Sequence, residues 1–403
     1  MKTEIPFARP YMGEEEEAAA LRVLRSGWLT TGAEALAFER EFAAFLSSPE
    51  ESEPGRGISA LAVNSATSGL HLALEAIGTG PGDIVLVPSY TFTATAEVVR
   101  YLGADAVFVD VAPGSFHMDP LALERTLERL ARGLCPYPPR KNPLPGTEAE
   151  GFGPRGRPRA VIPVHFGGLP CDMEAIMAIS ARYGLRVIED AAHAFPSRLP
   201  GGPWVGTIGD LGVFSFYATK TITTGEGGMV VSRNRDLLTR VGVMRSHGID
   251  RMVWNRYSDA RASWYYEVVE PGFKYNLPDI LAAIGRVQLT RAMRLLEMRR
   301  EIAACYDGAF RGEPFFILPP SGPADARHLY PLRLRTEIPG LNRDRFIDRL
   351  KDAGIGVSVH FIPLHLMPYY KKRYTLEEED FPESLAGFRQ VVSLPIWPGM
   401  TGA

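Results

Sequence analysis

From Leu61 to Phe216 the chain alternates short apolar runs with longer helix-like or turn-rich stretches. The runs are Leu61 to Val63, IVLVP at 84–88, AVFVDV at 106–111, AVIPVHF at 160–166, LRVIE at 185–189 and GVFSF at 212–216. Each has strand length and is rich in β-branched or aromatic residues. They lack the strict alternation of a strand with one wet face, so they predict strands buried on both sides. With helices between them they predict an α/β domain around a mainly parallel, mixed sheet. Two helices are expected ahead of it. EEEEAAALRVLRSG at 14–27 opens on an acidic first turn, which suits a helix N-terminus, and a second starts near Ala33 with Leu36, Phe38 and Phe42.

The pattern stops between Arg132 and Arg159, where Pro, Gly and charge dominate. A loop of that length is unusual in a compact domain, so it predicts either a surface insert or a contact segment. From Pro278 a long helix is expected, proline suiting its first turn, with Ile280, Ile284 and Val287 on one buried face and Leu289, Met293 and Leu296 continuing the stripe. Beyond it LYPLRLRT, a helix over 343–352, VSVHFIPL and VVSLPIW predict a smaller α+β unit. The expected division is an arm and helix at 1–30, a large domain at 31–277 carrying the 132–159 insert, and a linking helix with a small domain at 278–403.

A length of 403 residues with 45% hydrophobic content allows a large core and two domains. No run of 18 apolar residues is present, and the opening MKTEIPFARPYMGEEEEAAA has no apolar core before a cleavage site, so a cytoplasmic protein is expected. The formal net charge of −3 gives no reason to expect nucleic acid or a membrane as partner. Cys135, Cys171 and Cys305 are too far apart for a paired metal motif or a disulfide framework, and no HExxH occurs, so no metal is expected.

Four segments carry candidate chemistry. Asn64 to Gly69 lies between a strand and a helix, where free amides bind anions, although ordinary αβ turns are built the same way. Glu189-Asp190-Ala-Ala-His193 ends a strand where parallel sheets bind ligands; an acid there also serves as a simple helix cap. Lys220 sits between an apolar strand and TTGEGG, and a partly buried amine has a lowered pKa and attacks carbonyls. Gly272-Phe-Lys-Tyr-Asn276 places a cation and an amide in a loop. Pyridoxal phosphate needs an amine, a carboxylate at its ring nitrogen, phosphate donors and a flat apolar contact, and the sequence has candidates for every role.

These motifs, in order with IPFARPYMGEEEEAA, LRSGWLTTG, NSATSGLHLAL, GDIVLVPSYTFTATA, IPVHFGG, IEDAAHA, SFYATKTITTGEGGMV, RSHG, GFKYNLPDILAAIGRVQL, HFIPLH and SLPIWP, resemble almost end to end the DegT/DnrJ/EryC1/StrS family of fold-type I aminotransferases that act on nucleotide-linked keto-sugars. The resemblance implies that Lys220 carries pyridoxal 5'-phosphate and that Asp190 partners its ring nitrogen. It implies that Phe92 stacks on the ring, that Thr67, Ser68 and Ser215 bind its phosphate, and that His193 lies near its oxygen side. Lys274 and Asn276 resemble a segment given by a neighbouring subunit, so a homodimer with shared sites is expected. His360, His365 and Arg245 are candidates for the sugar or phosphate end, with core-edge or ion-pair roles as the alternative. Ala66 replaces a common glycine, and Lys274-Tyr-Asn276 replaces the common Asn-Tyr-Arg, resembling the branch that aminates C4.

The implied activity is transfer of an amino group from a donor such as L-glutamate to a nucleoside-diphosphate keto-sugar at C4, giving an amino sugar for polysaccharide or secondary-metabolite synthesis. The C3-aminating branch is the nearest competitor. A sugar dehydratase would carry histidine in place of Lys220, a nicotinamide enzyme would carry GxGxxG after its first strand, and a non-catalytic regulatory protein would bind the cofactor without turnover.

Overall fold

The computed structural model describes residues 4–47, 57–138, 152–250 and 265–400. Its large sheet has seven strands: β1 (Ser59–Val63), β2 (Asp83–Pro88), β3 (Asp105–Val109), β4 (Arg157–Val161), β5 (Arg186–Asp190), β6 (Leu211–Ser215) and β7 (Gly228–Ser232). Their order is β1-β7-β6-β5-β4-β2-β3. The five strands from β6 to β3 are parallel, while β7 runs antiparallel to both β6 and β1. The TTGEGG turn after Lys220 reverses the chain and so makes β7 the antiparallel member.

The strands lack alternation because both faces are covered. On one face Val213 and Val230 join Leu70, Val98, Leu127 and Ile176 of the flanking helices. On the other, Phe214, Met229 and Val231 pack with Phe38 and Phe42 of the helix Ala33–Leu46 and with Phe195. Burying a side chain of this size contributes about 1.5–3 kcal/mol, and the two layers together fix the sheet as a rigid plate whose strand ends hold the site.

The helix expected from Pro278 is two helices, Asp279–Thr290 and Ala292–Phe310. Its deepest face is Ala282, Ala283, Gly285, Gln288 and Leu289 rather than the Ile280, Ile284 and Val287 stripe. It lies between the first two helices of the chain, and close approach there requires small residues: a Cβ on Gly285 would come within 2.7 Å of the Phe38 ring. Met293, expected on the buried stripe, is exposed.

The second sheet is antiparallel, ordered β10-β9-β8, from β8 (Phe316–Ile317), β9 (Tyr330–Leu334) and β10 (Val391–Leu394). Helix Arg343–Asp352 packs on it through Phe346, Ile347 and Leu350. The N-terminal arm also joins this unit. Ile5 donates to the Gly354 carbonyl at 2.9 Å and accepts from the Gly356 amide at 2.8 Å, and Trp397 Nε1 donates to the Pro6 carbonyl at 2.9 Å. Within the 132–159 stretch, β4 begins at Arg157, and Tyr137 pairs with Phe152 while its hydroxyl accepts from the Phe108 amide at 2.7 Å. The rest of the insert, 139–151, lies outside the described residues.

Candidate active site

A cavity of about 630 Å3 opens where the C-terminal ends of β5 and β6 meet the start of helix Ala66–Ala76 and the small domain. Open α/β sheets place ligands at this edge. The helix start is shaped by Ser65, whose hydroxyl accepts from the Ser68 amide at 3.1 Å, while the Ser68 hydroxyl donates to Asn64 Oδ1 at 2.7 Å. Gly228 lets the next turn close over it, since a Cβ there would sit 2.8 Å from the Ala66 nitrogen. Ser65, Ala66 and Thr67 line the cavity together with Ser215 from the end of β6. Ser68 is placed otherwise: it is buried, absent from the cavity wall, and its hydroxyl is committed to capping.

Asp190 ends β5, 6% exposed, with Oδ2 accepting from the Thr95 hydroxyl at 2.9 Å and Oδ1 from the Ala192 amide at 3.2 Å. Burial raises its pKa, and the two donors with the nearby Lys220 amine offset part of that. Behind it Glu189 is fully buried and accepts from His165 Nε2 at 3.0 Å and from the amides of Gly206, Ile208 and Gly209 at 2.9, 2.6 and 2.7 Å. Two consecutive acids thus serve opposite sides of one strand, Glu189 inward to structure and Asp190 to the cavity.

Lys220 is presented by a loop that closes at its neck: Phe216 accepts from the Thr224 amide at 3.0 Å and donates to the Gly227 carbonyl at 2.9 Å, and the Lys220 amide donates to the Tyr217 carbonyl at 2.9 Å. Its amine lies 3.4 Å from His328 Nε2. Burial and, less strongly, Arg299 lower its pKa to about 7 against the opposing pull of Asp190. His193 accepts from the Gly167 amide on Nδ1 at 3.2 Å, which leaves Nε2 as the protonated nitrogen of the neutral ring. Its ring lies 4.4 Å from that of His328, centroid to centroid. His360 holds Ser393 Oγ on Nδ1 at 3.0 Å and stacks on Phe7 at 5.3 Å. Burial keeps all three imidazoles below their usual pKa, His360 at about 4, with Lys220 a further cause for each. Phe92 is 57% exposed on the cavity wall, its edge steadied by Phe361 at 5.8 Å.

The cavity therefore gathers Lys220, Asp190, His193, Phe92, Thr67, Ser215 and His360. Arg245 is not among them. It is 3% exposed and donates to Glu39 Oε1 and to the Ala62 carbonyl, each at 2.6 Å, tying the second helix to β1. A guanidinium so buried and paired is a structural cation. His365 is also elsewhere, fully buried with its ring 4.7 Å from Phe381. Lys274 and Asn276 lie outside their own chain's cavity, on a segment that pairs with Val63 and Ser246. Lys274 Nζ contacts Asn276 Oδ1, and Asn276 Nδ2 donates to Thr31 Oγ1 at 2.6 Å.

Thr95, His328, Phe7 and Phe361 belong to the site and were not singled out from the sequence. The signal for Thr95 was its spacing: Thr91 and Thr95, four apart, share a 2.9 Å hydroxyl contact that points Thr95 at Asp190. No local pattern marked His328. Among the described residues there is no metal-binding cluster and no helix long and apolar enough to cross a membrane.

A profile of the DegT/DnrJ/EryC1/StrS aminotransferase family matches residues 10–403. The spore coat polysaccharide biosynthesis protein SpsC of Bacillus subtilis is 39% identical over 404 aligned positions, covering 98% of this chain and 93% of SpsC. Spr1654 from Streptococcus pneumoniae, in its PLP form, superposes with a TM-score of 0.81 at 29% identity, covering 99% of this chain and 95% of that one. PseC of Helicobacter pylori, an aminotransferase involved in the biosynthesis of pseudoaminic acid, superposes with a TM-score of 0.82 at 26% identity, covering 99% and 95%.

Proposed function

Since the chain belongs to the DegT/DnrJ/EryC1/StrS aminotransferase family and is a pyridoxal-phosphate-dependent transaminase of fold type I, we propose that it moves an amino group from L-glutamate or a similar donor to C4 of a nucleoside-diphosphate keto-sugar. The product is an amino sugar nucleotide for surface polysaccharide or related glycan synthesis in the cytoplasm. The observation that carries this is one cavity holding a buried amine, a buried carboxylate and a helix start.

The residues fit the cofactor. Lys220 Nζ is the amine for its aldehyde, and Asp190 is a desolvated carboxylate suited to a cationic ring N–H. The amides of Ala66 and Thr67 and the Ser215 hydroxyl suit its phosphate, and Phe92 offers a flat face to its ring. When bound, pyridoxal phosphate supplies an electron sink for the pair left on the donor's α carbon when its proton departs.

Lys220 Nζ is the base that takes this proton and the acid that returns it. A pKa near 7 leaves both forms abundant at neutral pH. Asp190 keeps the ring nitrogen protonated, and Thr95 fixes the carboxylate that does so. His193, neutral and with Nε2 as donor, would hold the oxygen side of the cofactor. His360 is placed to meet a sugar hydroxyl. Lys274 and Asn276, outside the lining of their own cavity, serve the cofactor phosphate of a second copy, so the working unit is a homodimer with shared sites.

Incubation of the pure protein and glutamate with matched 3-keto and 4-keto nucleotide sugars, with the new nitrogen located by NMR, tests the proposal. Product at C4 is expected. Product at C3 alone would overturn the position, and turnover only on free keto compounds would overturn the substrate class.

A further inference from the structure

One cation sits beside the reacting amine without lining the cavity. Arg299, in the middle of helix Ala292–Phe310, is 2% exposed. Its guanidinium donates to three main-chain carbonyls: Ile396 at 2.8 Å, His328 at 3.2 Å and Thr219 at 3.3 Å. These come from three separate segments, and Thr219, His328 and Ile396 all line the cavity. Thr219 directly precedes Lys220, and His328 is the residue whose ring touches its amine. No carboxylate pairs with Arg299 among the described residues, and its Nε has no acceptor.

A buried arginine commonly meets an acid, which cancels its field at short range. Carbonyl dipoles satisfy the donors but leave the full positive charge in place, and a guanidinium stays charged at neutral pH even when desolvated. Resting on the assignment of Lys220 as the cofactor-bearing lysine, we propose that Arg299 is a positioning residue. It clamps the Lys220 turn to the small domain and, through its uncancelled charge, holds the freed lysine amine in its basic form.

The charged and titratable groups around Lys220 are Asp190 from the end of β5, His193 just after it, His328 ahead of β9, His360 from the small domain, Tyr217 and Glu226 of the cavity wall on its own loop, and Arg299. Asp190 favours the ammonium. The three imidazoles are neutral, so among these groups Arg299 supplies the opposing charge. At an effective dielectric of about 20, a like charge about 12 Å away shifts a titration by about one pH unit. Removing it should move the Lys220 midpoint upward from about 7 by roughly that amount, and the free-base fraction at neutral pH should fall about fivefold.

The test uses full-length protein loaded with pyridoxamine phosphate, in which Lys220 has no covalent bond. Competitive acetylation across pH, with Lys220 quantified by mass spectrometry, reads its midpoint independently of turnover. Arg299→Met and Arg299→Gln both remove the charge, so either suffices if the other fails to fold. Arg299→Lys keeps the charge and loses the three-way clamp. The neutral variants should raise the midpoint by about one pH unit, while Arg299→Lys should stay near wild type with a raised KM from the loosened domain contact. An unchanged midpoint in a folded neutral variant, or an equal shift in Arg299→Lys, overturns the charge role. Borohydride fixation of cofactor to another lysine would instead overturn the Lys220 assignment itself.

Discussion

Thr95→Val replaces a hydroxyl by a methyl of nearly the same size and removes the side-chain donor to Asp190 Oδ2. A hydrogen bond to a charged group contributes about 1.5–3 kcal/mol, which is about one to two pH units in the carboxyl's titration. Burial already raises the Asp190 pKa, and the loss of Thr95 raises it further. Only the ionised carboxylate holds the ring proton, so the acid limb of the pH-rate profile should move to higher pH by that amount. The glutamate half-reaction, followed by the visible band of lysine-bound cofactor between about pH 5.5 and 9, reads it directly. Turnover should fall about 10–100-fold on the acid side and recover toward wild type as pH rises. Because a raised carboxyl pKa makes ionisation work against folding, Thr95→Val should also lower stability at neutral pH, with the deficit shrinking as pH falls through the raised pKa of folded Asp190 and its ionisation-linked part gone by about pH 4. Part of that deficit comes from Thr91, whose hydroxyl loses its 2.9 Å partner. Thr95→Ser, which restores the donor, should return the acid limb to its original place. A Thr95→Val protein within twofold of wild type across the whole range would refute the assignment.

Lys220→Ala should abolish transamination and leave borohydride nothing to fix, and peptide mapping of the adduct to a different lysine in the wild type would refute its role. Mixed dimers of inactive Lys220→Ala and inactive Asn276→Ala chains should regain activity if the sites are shared; none, once mixed dimers are shown to form, would count against it. Arg245→Gln strands Glu39 in the core, and breaking such a pair costs about 3–5 kcal/mol. Lower thermal stability with an unchanged KM is expected, and a KM effect at full stability would return Arg245 to the substrate.

Most strands were legible because a parallel strand covered on both faces is written as an unbroken apolar run, as in IVLVP and AVFVDV. Asp190 and Lys220 were legible because polar residues at the ends of such runs are costly to bury without a partner or a task. β7 was not read as a strand at all, since GMVVS follows directly on the TTGEGG turn, and its antiparallel direction leaves no mark on its residues. Arg245 resembled a phosphate ligand because its partner Glu39 lies 206 residues away, and long-range pairing leaves no local trace. His328 escaped for the same reason, 108 residues from the amine it touches. Ser68 sat in the right motif, but the capping geometry that turns its hydroxyl to Asn64 emerges only when the helix forms.

The contact between Trp397 and Pro6 spans 391 positions of sequence, and beside it Phe7 and Ile396 both form wall of the cavity. During synthesis the seven strands of the large sheet, Lys220 and Asp190 are all made long before Ile396. A nascent chain can therefore complete the large sheet while the pocket still lacks one wall, and only the segment around Ile396 brings Arg299 its third carbonyl. A shortened product ending before Ile396 would keep the lysine and the carboxylate in a gap open to water. The cavity thus closes only once the segment around Ile396 is in place, far along the chain from the lysine and the carboxylate that it encloses.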